Sequence, residues 1–369
     1  MHTPVRIVFT VTNDLIYDQR MGRICTSLAE NGYDVTLVGV KRRASTKLLK
    51  HKYDQKRIPC YFQKGKLFYV EYNIKLFFRL LFIRHDVICA IDLDTILPCL
   101  FSSFIGKKIR IYDAHELFCE MQEIVSRPAI RTIWKGVEKL CLPFFKNGYS
   151  VSENISRIYG ENYGHRYETI RNVPILELTK QTENPRENFL LYQGALNFGR
   201  GIPNLLEAMR DLEIPLVICG EGNFSKQARD LVSQKRLSQK VLFKGMVLPD
   251  QLGEYTNKAL IGINLGENTC LSIYYSLNNK FFDYMHAGLP QVAMNYPEFR
   301  KINEEYEIAY LIDDLDPKTI GSAISKLIED KEYYLRLAAN CLRGRFVFNW
   351  QTEEKKLLEF YEKLSHTLK

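Results

Sequence analysis

A short polar segment near residue 280 combines residue types that bind phosphate and sugar. The stretch from Ser276 to Asp283 places Lys280 among small polar side chains, where a helix is expected to begin near Leu277. Free backbone N–H groups at a helix start, together with a lysine, favour an anion and suit phosphate best. Asp283 lies four residues after Asn279, on the same helix face. A carboxylate there is suited to accept hydrogen bonds from sugar hydroxyls, so the segment predicts a sugar-phosphate or nucleotide-sugar ligand.

A second group suited to phosphate lies earlier in the chain, where Gly194 and Arg200 belong to a glycine-rich stretch. An apolar run ends at Gln193 and a helical pattern begins near Ile202, so the loop is expected between a strand and a helix. This order lets backbone N–H groups cradle a phosphate. Gly194 would allow the backbone to approach a pyrophosphate, and Arg200 would neutralise it through a forked contact. The alternative is a tight turn with a solvated arginine.

The elements that must position these residues are short apolar runs separated by helical patterns, and this alternation occurs twice. Strands of the first half are expected at 6–12, 34–40, 67–72, 86–91, 109–114, 147–152 and 168–173. Strands of the second half are expected at 188–193, 215–219, 240–243, 261–265, 291–295 and 308–312. Strands that alternate with helices predict parallel, doubly wound sheets, and 369 residues exceed the usual single core. The polar stretch 174–187 is typical of a linker between two domains.

The run from Ser276 to Met285, followed by Ala-Gly-Leu-Pro at 287–290, resembles the donor-site helix of GT-B glycosyltransferases. The closest branch is the large retaining family of the glycosyltransferase-four type. The resemblance implies an α/β fold of two Rossmann-like, doubly wound parallel-sheet domains that face a cleft. It implies an acceptor-side domain at 1–178 and a nucleotide-sugar-binding domain at 186–347. The C-terminal helix, within 348–369, is expected to cross back to the first domain.

The resemblance also implies which residues bind the donor. They are Gly194, Arg200, Glu267, Ser276, Leu277, Asn279, Lys280 and Asp283. The family commonly carries two acids eight residues apart, and Asp283 matches the second. Tyr275 stands where the first acid would be, so Glu267 is expected to take over part of its role. The family often has a basic residue directly after the first glycine, but this chain has Ala195 there, so Arg200 and Lys280 would share the charge.

The stretch that ends at His115 and Glu116 is similar to the D-x-H-E strand end of the same family. The resemblance implies that His115 contacts the donor sugar and positions it by hydrogen bonding. Glu116 would orient the imidazole ring or face the acceptor. The alternative is a structural histidine at a helix start. The pair Asp92 and Asp94 superficially resembles a metal-binding D-x-D motif, but it belongs to the first domain. No metal and no cofactor besides the donor are therefore expected.

Composition indicates a globular protein of the cytoplasm. Hydrophobic residues make up 46% and charged residues 25% of the chain. No apolar run approaches the roughly 20 residues that cross a bilayer, and the N-terminal sequence lacks the pattern of a signal peptide. The nine cysteines are scattered without a C-x-x-C pair, which is typical of reduced, buried thiols.

The net charge of +8 is concentrated in one region. Residues 41–84 hold 13 Lys or Arg against two acids, interleaved with aromatic residues. This composition predicts contact with an anionic membrane surface. A second basic amphipathic candidate is 128–145, with five residues expected to face inward: Ile130, Ile133, Trp134, Val137 and Leu140. The alternative for both is the solvated basic face of a core helix. Nucleic acid is not an expected partner, because no recognised binding module accompanies the charge.

The resemblance, together with these residues, implies a retaining, metal-independent, hexosyltransferase-type glycosyltransferase. It would transfer a sugar from a nucleoside-diphosphate sugar to a hydroxyl of a glycan or a polyprenyl-linked glycan. Such a reaction fits polysaccharide biosynthesis for the cell envelope, with the protein peripheral on the inner face of the plasma membrane. Alternatives are a GT-B epimerase or phosphorylase, or an inactive nucleotide-sugar-binding scaffold, which Tyr275 and Ala195 keep open. A nucleic-acid-binding protein with steep salt dependence is the weakest alternative.

Overall fold

The chain divides into two compact units. The N-terminal unit comprises Met1–Arg171 and Glu353–Lys369, and the C-terminal unit comprises Asn172–Thr352. The computed structural model describes residues 4–16, 18–106, 108–177 and 185–366. The middle of the expected linker, residues 178–184, lies outside the described residues.

A parallel sheet forms the centre of the N-terminal unit. Its strands are β1 (Arg6–Thr10), β2 (Asp34–Lys41), β3 (Asp54–Pro59), β4 (Val87–Ile91), β5 (Ile109–Ala114), β6 (Asn147–Ser150) and β7 (Glu168–Thr169). Its helices are α1 (Gln19–Glu30), α2 (Lys66–Phe82), α3 (Ile96–Phe104), α4 (Gln122–Val125), α5 (Pro128–Cys141) and α6 (Glu153–Tyr163). Short 3₁₀ turns occupy Leu93–Thr95, Phe118–Glu120 and Leu142–Phe144. The strand order among the described residues is β3-β2-β1-β4-β5-β6-β7.

The C-terminal unit repeats this plan with a second parallel sheet. Its strands are β8 (Leu190–Gln193), β9 (Leu216–Cys219), β10 (Val241–Gly245), β11 (Ile261–Asn264), β12 (Gln291–Met294) and β13 (Ala309–Ile312). Its helices are α7 (Ile202–Ala208), α8 (Ser225–Gln234), α9 (Pro249–Lys258), α10 (Leu271–Tyr274), α11 (Asn279–His286), α12 (Pro297–Tyr306), α13 (Pro317–Glu329) and α14 (Lys331–Gly344). The strand order in the described part is β10-β9-β8-β11-β12-β13.

In both sheets the strand order reverses once along the chain. The chain adds strands first to one side and then to the other, with the change between β1 and β4 and between β8 and β11. The carboxyl ends of strands at such a switch point form the usual ligand crevice of a doubly wound sheet. The predicted α/β class with two parallel, doubly wound sheets is confirmed.

The edge of the first sheet differs from the sequence prediction. The expected strand 67–72 is wrong, because these residues lie in α2. The residues of α2 that pack on the core recur every four positions, which is a helical period: Phe68, Tyr72, Leu76 and Leu80. The strand at this edge is β3, which the sequence analysis missed. Ile58 is its one buried residue, so it shows no apolar alternation.

The orientation of α5 also differs from the prediction. Ile133 and Leu140 were expected to face inward, but they are 61% and 56% exposed. The helix instead turns Glu138 inward, where this residue is 3% exposed. A buried carboxylate needs partners, and Glu138 accepts hydrogen bonds from Tyr163 Oη at 2.6 Å and Lys135 Nζ at 3.1 Å.

Close packing fixes α11 against the second sheet. Gly262 on β11 has no side chain, and a Cβ there would meet the Tyr284 ring at 2.5 Å. Tyr284 is fully buried, and its hydroxyl donates to Leu191 O at 3.0 Å and accepts from Gln193 N–H at 3.2 Å. The start of α11 is thereby held beside the carboxyl end of β8.

The last helix is α15 (Trp350–His366), and its residues from Glu353 onward belong to the N-terminal unit. Tyr361 is buried there, with its hydroxyl 3.2 Å from that of Tyr149. The Glu353 carboxylate is 1% exposed and accepts from Arg171 N–H at 2.9 Å. The C-terminal residues therefore contribute to the core of the first unit.

Candidate active site

Glycine-rich loops meet at the carboxyl ends of β8 and β9. Gly194 has φ 125° and Gly220 has φ 146°, values that favour glycine. A Cβ on Gly220 would lie only 1.9 Å from Gly194 O, and one on Gly222 would lie 2.4 Å from Leu196 O. Gly194 N–H donates to Cys219 O at 2.9 Å. The two loops are thus pressed together in a way that no side chain would allow.

Lys280 is a buried cation beside this loop. Its side chain is 8% exposed, and its Nζ lies 3.9 Å from the centroid of the Tyr192 ring. A Cβ on Gly194 would lie 3.7 Å from the same Nζ. Within the part of the chain that the structure describes, Lys280 Nζ makes no hydrogen bond or salt bridge. A buried cation with only an aromatic ring for a partner is costly, and an anion at this place would offset the cost.

The surroundings of Lys280 lower its pKa well below the ordinary value. Burial is the largest cause, and repulsion from Arg200 adds to it, while attraction to Asp283 opposes both. Arg200 is half-buried in the glycine-rich loop. Two cations that repel each other near one glycine-rich turn form an electrostatic environment suited to a diphosphate.

Asp283 is held by a buried amide. Its Oδ2 accepts from Gln193 Nε2 at 2.8 Å, and Gln193 Oε1 accepts from Thr256 Oγ1 at 2.8 Å. Gln193 is 2% exposed, so its orientation is fixed by these partners. The half-buried carboxylate of Asp283 therefore has a defined direction next to Lys280. The sequence analysis did not single out Gln193 or Tyr192, although both directly precede the glycine-rich loop.

The remaining donor candidates surround the start of α11. Asn278 caps this helix, with its Oδ1 accepting from Phe281 N–H at 3.3 Å. Leu277 is buried, Ser276 is half-buried and Asn279 is exposed. Asn279 Oδ1 accepts from Asn172 Nδ2 at 2.6 Å, which turns this side chain toward the first residue of the unit.

Glu267 lies beside the glycine-rich loop rather than on α11. Its backbone N–H donates to Gly199 O at 2.8 Å, next to Arg200. Tyr275, in the place of the family's first acid, follows the short helix α10 and is half-buried. The structure therefore brings together Gly194, Arg200, Glu267, Lys280 and Asp283 within the C-terminal unit.

A second polar cluster lies in the N-terminal unit around His115. Its Nε2 is 3.1 Å from Asp113 Oδ2, and Asp113 Oδ1 accepts from Arg20 Nη2 at 2.9 Å. Arg20 and Asp113 are 2% and 0% exposed, whereas the His115 side chain is 22% exposed. Arg20 Nη1 also donates to Ile170 O at 2.8 Å. His115 is thus the exposed end of a buried ion-pair network.

The network keeps His115 protonated at neutral pH. Burial alone would lower the pKa of His115, but attraction to Asp113 outweighs it and raises the pKa to about 9. When Nε2 is protonated, it donates a hydrogen bond to Asp113. Arg20 Nε lies 3.1 Å from Nε2 and then donates to the same Asp113 carboxylate. Nδ1 of the imidazolium makes no hydrogen bond to any described residue, and it can donate to a ligand.

Asp92 supports His115 from the neighbouring strand end. Its Oδ1 accepts from His115 N–H at 2.9 Å. Asp92 has φ 53°, an unfavourable conformation for a residue with a Cβ. Burial raises the pKa of Asp92 to about 8 and that of Asp94 to about 6. Among the described residues, no group of three or more His, Cys, Asp or Glu side chains could hold a metal ion.

The two doubly wound units define the class of fold. The chain is similar to sucrose-phosphate synthase (tll1590) from Thermosynechococcus elongatus, with 16% identity, a TM-score of 0.78, and coverage of 98% of this chain and 100% of the other. It is similar to Anabaena Alr3699/HepE in complex with UDP-glucose, with 13% identity, a TM-score of 0.76, and coverage of 97% and 99%. It is also similar to WaaG, a glycosyltransferase involved in lipopolysaccharide biosynthesis, with 12% identity, a TM-score of 0.72, and coverage of 95% and 98%. The predicted GT-B fold is confirmed.

A sequence-family model matches part of the chain. Residues 176–342, most of the C-terminal unit, match the family described as glycosyl transferases group 1. The chain therefore carries a glycosyltransferase group 1 domain and is a glycosyltransferase, as predicted. A search of curated proteins finds no significant match. None of the described helices is long and apolar enough to cross a bilayer.

Proposed function

We propose that the C-terminal unit binds a nucleoside-diphosphate sugar and that the enzyme transfers this sugar to a hydroxyl of a glycan or lipid-linked glycan. The observation that carries the proposal is Lys280, a buried lysine whose Nζ makes no hydrogen bond or salt bridge to a described residue and whose nearest acid, Asp283, attracts it only at longer range. The lysine lies beside Gly194, which is exposed and whose missing Cβ would be 3.7 Å from Lys280 Nζ. Arg200 adds a second positive charge. Fixed cations stabilise the diphosphate as it departs, without need for a metal.

The carboxylates would hold the donor through its hydroxyl groups. Asp283 is oriented by Gln193, and Glu267 lies beside the loop that contains Arg200, with its backbone N–H bound to Gly199 O. Each can accept hydrogen bonds from hydroxyls but would repel phosphate. In this proposal Lys280 and Arg200 bind the diphosphate, while Asp283 and Glu267 bind the neutral part of the donor.

His115 would act on the donor sugar from the N-terminal unit. Its imidazolium can donate from Nδ1 but cannot act as a base while protonated. We assign it a positioning role through hydrogen bonding, with Glu116 next to it on the acceptor side. For a retaining reaction, the acceptor hydroxyl would attack from the side of the leaving diphosphate.

The acceptor is proposed to be a cell-envelope glycan, such as one linked to a polyprenyl lipid. Support comes from the structural relative WaaG, a glycosyltransferase involved in lipopolysaccharide biosynthesis. The relative HepE is described in complex with UDP-glucose, which favours a uridine nucleotide as the first donor to test. The protein would then act at the inner face of the plasma membrane.

A thermal-shift screen tests the donor site. The purified protein is heated with UDP, GDP, ADP, CMP and their sugars, with and without magnesium. A ligand that binds the folded state raises the melting temperature by mass action. We expect a shift with one diphosphate, retained in Lys318→Ala and lost in Lys280→Ala. Lys318 is an exposed lysine of the same unit and serves as the matched control. If the well-folded protein shows no shift with any nucleotide, the donor-site proposal is wrong.

Turnover distinguishes the alternatives that share this site. Release of nucleotide only when a glycan acceptor is present supports transfer. Conversion of the donor without an acceptor would indicate an epimerase, and dependence on inorganic phosphate would indicate a phosphorylase. Binding without turnover on any acceptor would indicate a scaffold, for which Tyr275 in the place of an acid would be the reason.

A further inference from the structure

Helix α2 is apolar on two opposite faces. One face packs on the core through Phe68, Tyr72, Leu76 and Leu80. The other face carries six exposed side chains, between 40% and 83% accessible: Leu67, Val70, Ile74, Phe78, Leu81 and Phe82. These residues lie at helical spacing and therefore form one stripe. A surface helix normally keeps its second face polar, so this stripe requires an explanation.

The neighbouring helices extend the stripe into a broad surface. Helix α3 packs beside α2, and α5 packs beside α3. They expose further large apolar side chains: Phe101, Phe104 and Ile105 around α3, and Ile133, Leu140 and Phe144 around α5. Ring contacts connect the helices, with Tyr69 and Trp134 at 6.2 Å and Phe104 and Phe144 at 5.7 Å. We call the stripe of α2 together with these six residues the apolar face.

The size of the apolar face exceeds that of an ordinary surface patch. An aromatic side chain carries about 150–250 Å². Five of the twelve residues are aromatic, and at about half exposure these five alone present roughly 500 Å². The seven aliphatic side chains enlarge the apolar face beyond the about 300–600 Å² of the largest patch on a typical monomer. Patches of this size mark sites of interaction with a protein or a membrane.

The charge around the apolar face is strongly positive. Segments 64–84, 96–110 and 127–146, which contain the three helices, hold 13 Lys or Arg and two acids. Both acids are already engaged, because Glu71 pairs with Lys75 at 2.6 Å and Glu138 is buried. Arg79, Arg84 and Lys139 are exposed. A groove of about 490 Å³ along α5 is lined by Arg131, Lys135 and Lys139, among others; the first two also pair with Glu120, at 2.8 and 3.3 Å.

We propose that the apolar face docks the N-terminal unit onto an anionic lipid bilayer. The apolar side chains would enter the boundary between headgroups and acyl chains, and the basic rim would contact the phosphates of the headgroups. Protein interfaces are depleted in lysine, and two copies of so basic a surface would repel each other. The lysine-rich rim therefore favours a lipid surface over a protein partner.

The apolar face differs from the segment 41–84 that the sequence analysis assigned to the membrane. Two of the cations before α2, Arg42 and Arg57, are engaged inside the unit. Arg57 pairs with Asp14, and Arg42 donates to Gln63 O and stacks over the Phe68 ring. The structure thus moves the docking surface from one continuous segment to three helices that are distant in sequence.

Vesicle flotation of the full chain tests the inference. The protein is mixed with vesicles of phosphatidylcholine alone or with about 30% phosphatidylglycerol, at low and high salt. We expect flotation with the anionic vesicles and weaker flotation at high salt. The double variant Phe78→Ser/Phe82→Ser should bind these vesicles at least about tenfold more weakly. Leu335→Ser, which removes a 65% exposed leucine from the C-terminal unit, should bind like the original protein.

Several outcomes would overturn the inference. They are the absence of flotation with anionic vesicles, equal flotation of the double variant, and a dimer in solution that the double variant dissociates. The last would make the apolar face an interface between copies. The melting temperature of each variant, with and without nucleotide, shows that it is folded and keeps the donor site. Membrane binding and donor binding are therefore tested separately.

Discussion

Two positively charged side chains, His115 and Lys280, are proposed to contact the donor. They differ in whether a carboxylate of the protein forms an ion pair with them. His115 has its counter-ion built in, because Asp113 lies 3.1 Å away and is itself paired with buried Arg20. Lys280 is more deeply buried but has only the Tyr192 ring and the more distant charge of Asp283. The pKa of His115 is raised as a result, whereas the pKa of Lys280 is lowered.

The difference indicates two kinds of ligand contact. A cation with an internal counter-ion is fixed in place and needs no ligand charge, so it suits a neutral group such as a sugar hydroxyl. A buried cation without one gains most from an incoming anion, so it suits a phosphate. The contrast leads to four predictions, on stability, catalysis, pH dependence and donor affinity.

The largest expected effect is on stability, in the network of His115. Asp113→Ala leaves Arg20 as an uncompensated charge that is 2% exposed. Breaking such a buried pair costs about 3–5 kcal/mol of unfolding free energy, measured by denaturant titration. The matched control is Asp86→Ala, whose partner Arg6 is 38% exposed. That exposed pair should contribute less than about 1 kcal/mol. Equal losses in the two variants would contradict the distinction.

Lys280→Met should give the opposite pattern, with loss of activity but no loss of stability. Methionine keeps an unbranched apolar chain in the same space and removes the buried charge. We expect the unfolding free energy to stay the same or rise, because the desolvation cost disappears. The value of kcat/KM for the donor should fall about 10²–10³-fold, as for removal of one preorganised charge contact. A destabilised variant with full activity would show that Lys280 is a structural residue.

Much of this arrangement could be predicted where local sequence determines it. Helix α11 begins at Asn279, within two residues of the predicted start, because Asn278 supplies the cap. The apolar strands β8 to β13 begin and end within two residues of their predicted positions. Periodicity and capping depend on neighbours in the chain, so they are visible in the sequence alone.

The missing parts depend on contacts between distant residues. Arg20 and Asp113 are 93 positions apart, and Gln193 and Asp283 are 90 apart. No local pattern indicates that these side chains meet. The same reason explains the error on α5, since the inward position of Glu138 depends on Tyr163, which lies on α6. Edge strand β3 was missed because an edge needs few buried residues.

The titration of His115 gives a pH test of the comparison. Its pKa is about 9 in the folded protein and near 6.5 when unperturbed. A raised folded-state pKa means that its contribution to stability is fully present below about pH 6.5 and is lost as the pH rises through 9. The destabilisation caused by His115→Asn should therefore be large at about pH 6 and small near pH 10, and NMR of the imidazole gives the pKa directly. A pKa at or below 6.5 would contradict the proposed ion pair.

The smallest expected effect concerns the amide that orients Asp283. Gln193→Met keeps the volume but removes the donor to Asp283 Oδ2. Loss of one such hydrogen bond should weaken donor binding by about 1 kcal/mol, or about fivefold in KM, with little change in kcat.

Thr256→Val is the matched control, since it removes the other partner of Gln193 and leaves Asp283 untouched. We expect a smaller change in KM for it. If both variants change KM equally, general packing explains the effect, and the Gln193 contact does not position Asp283 for the donor. If Gln193→Met lowers kcat instead, Asp283 acts in the transition state as well as in binding.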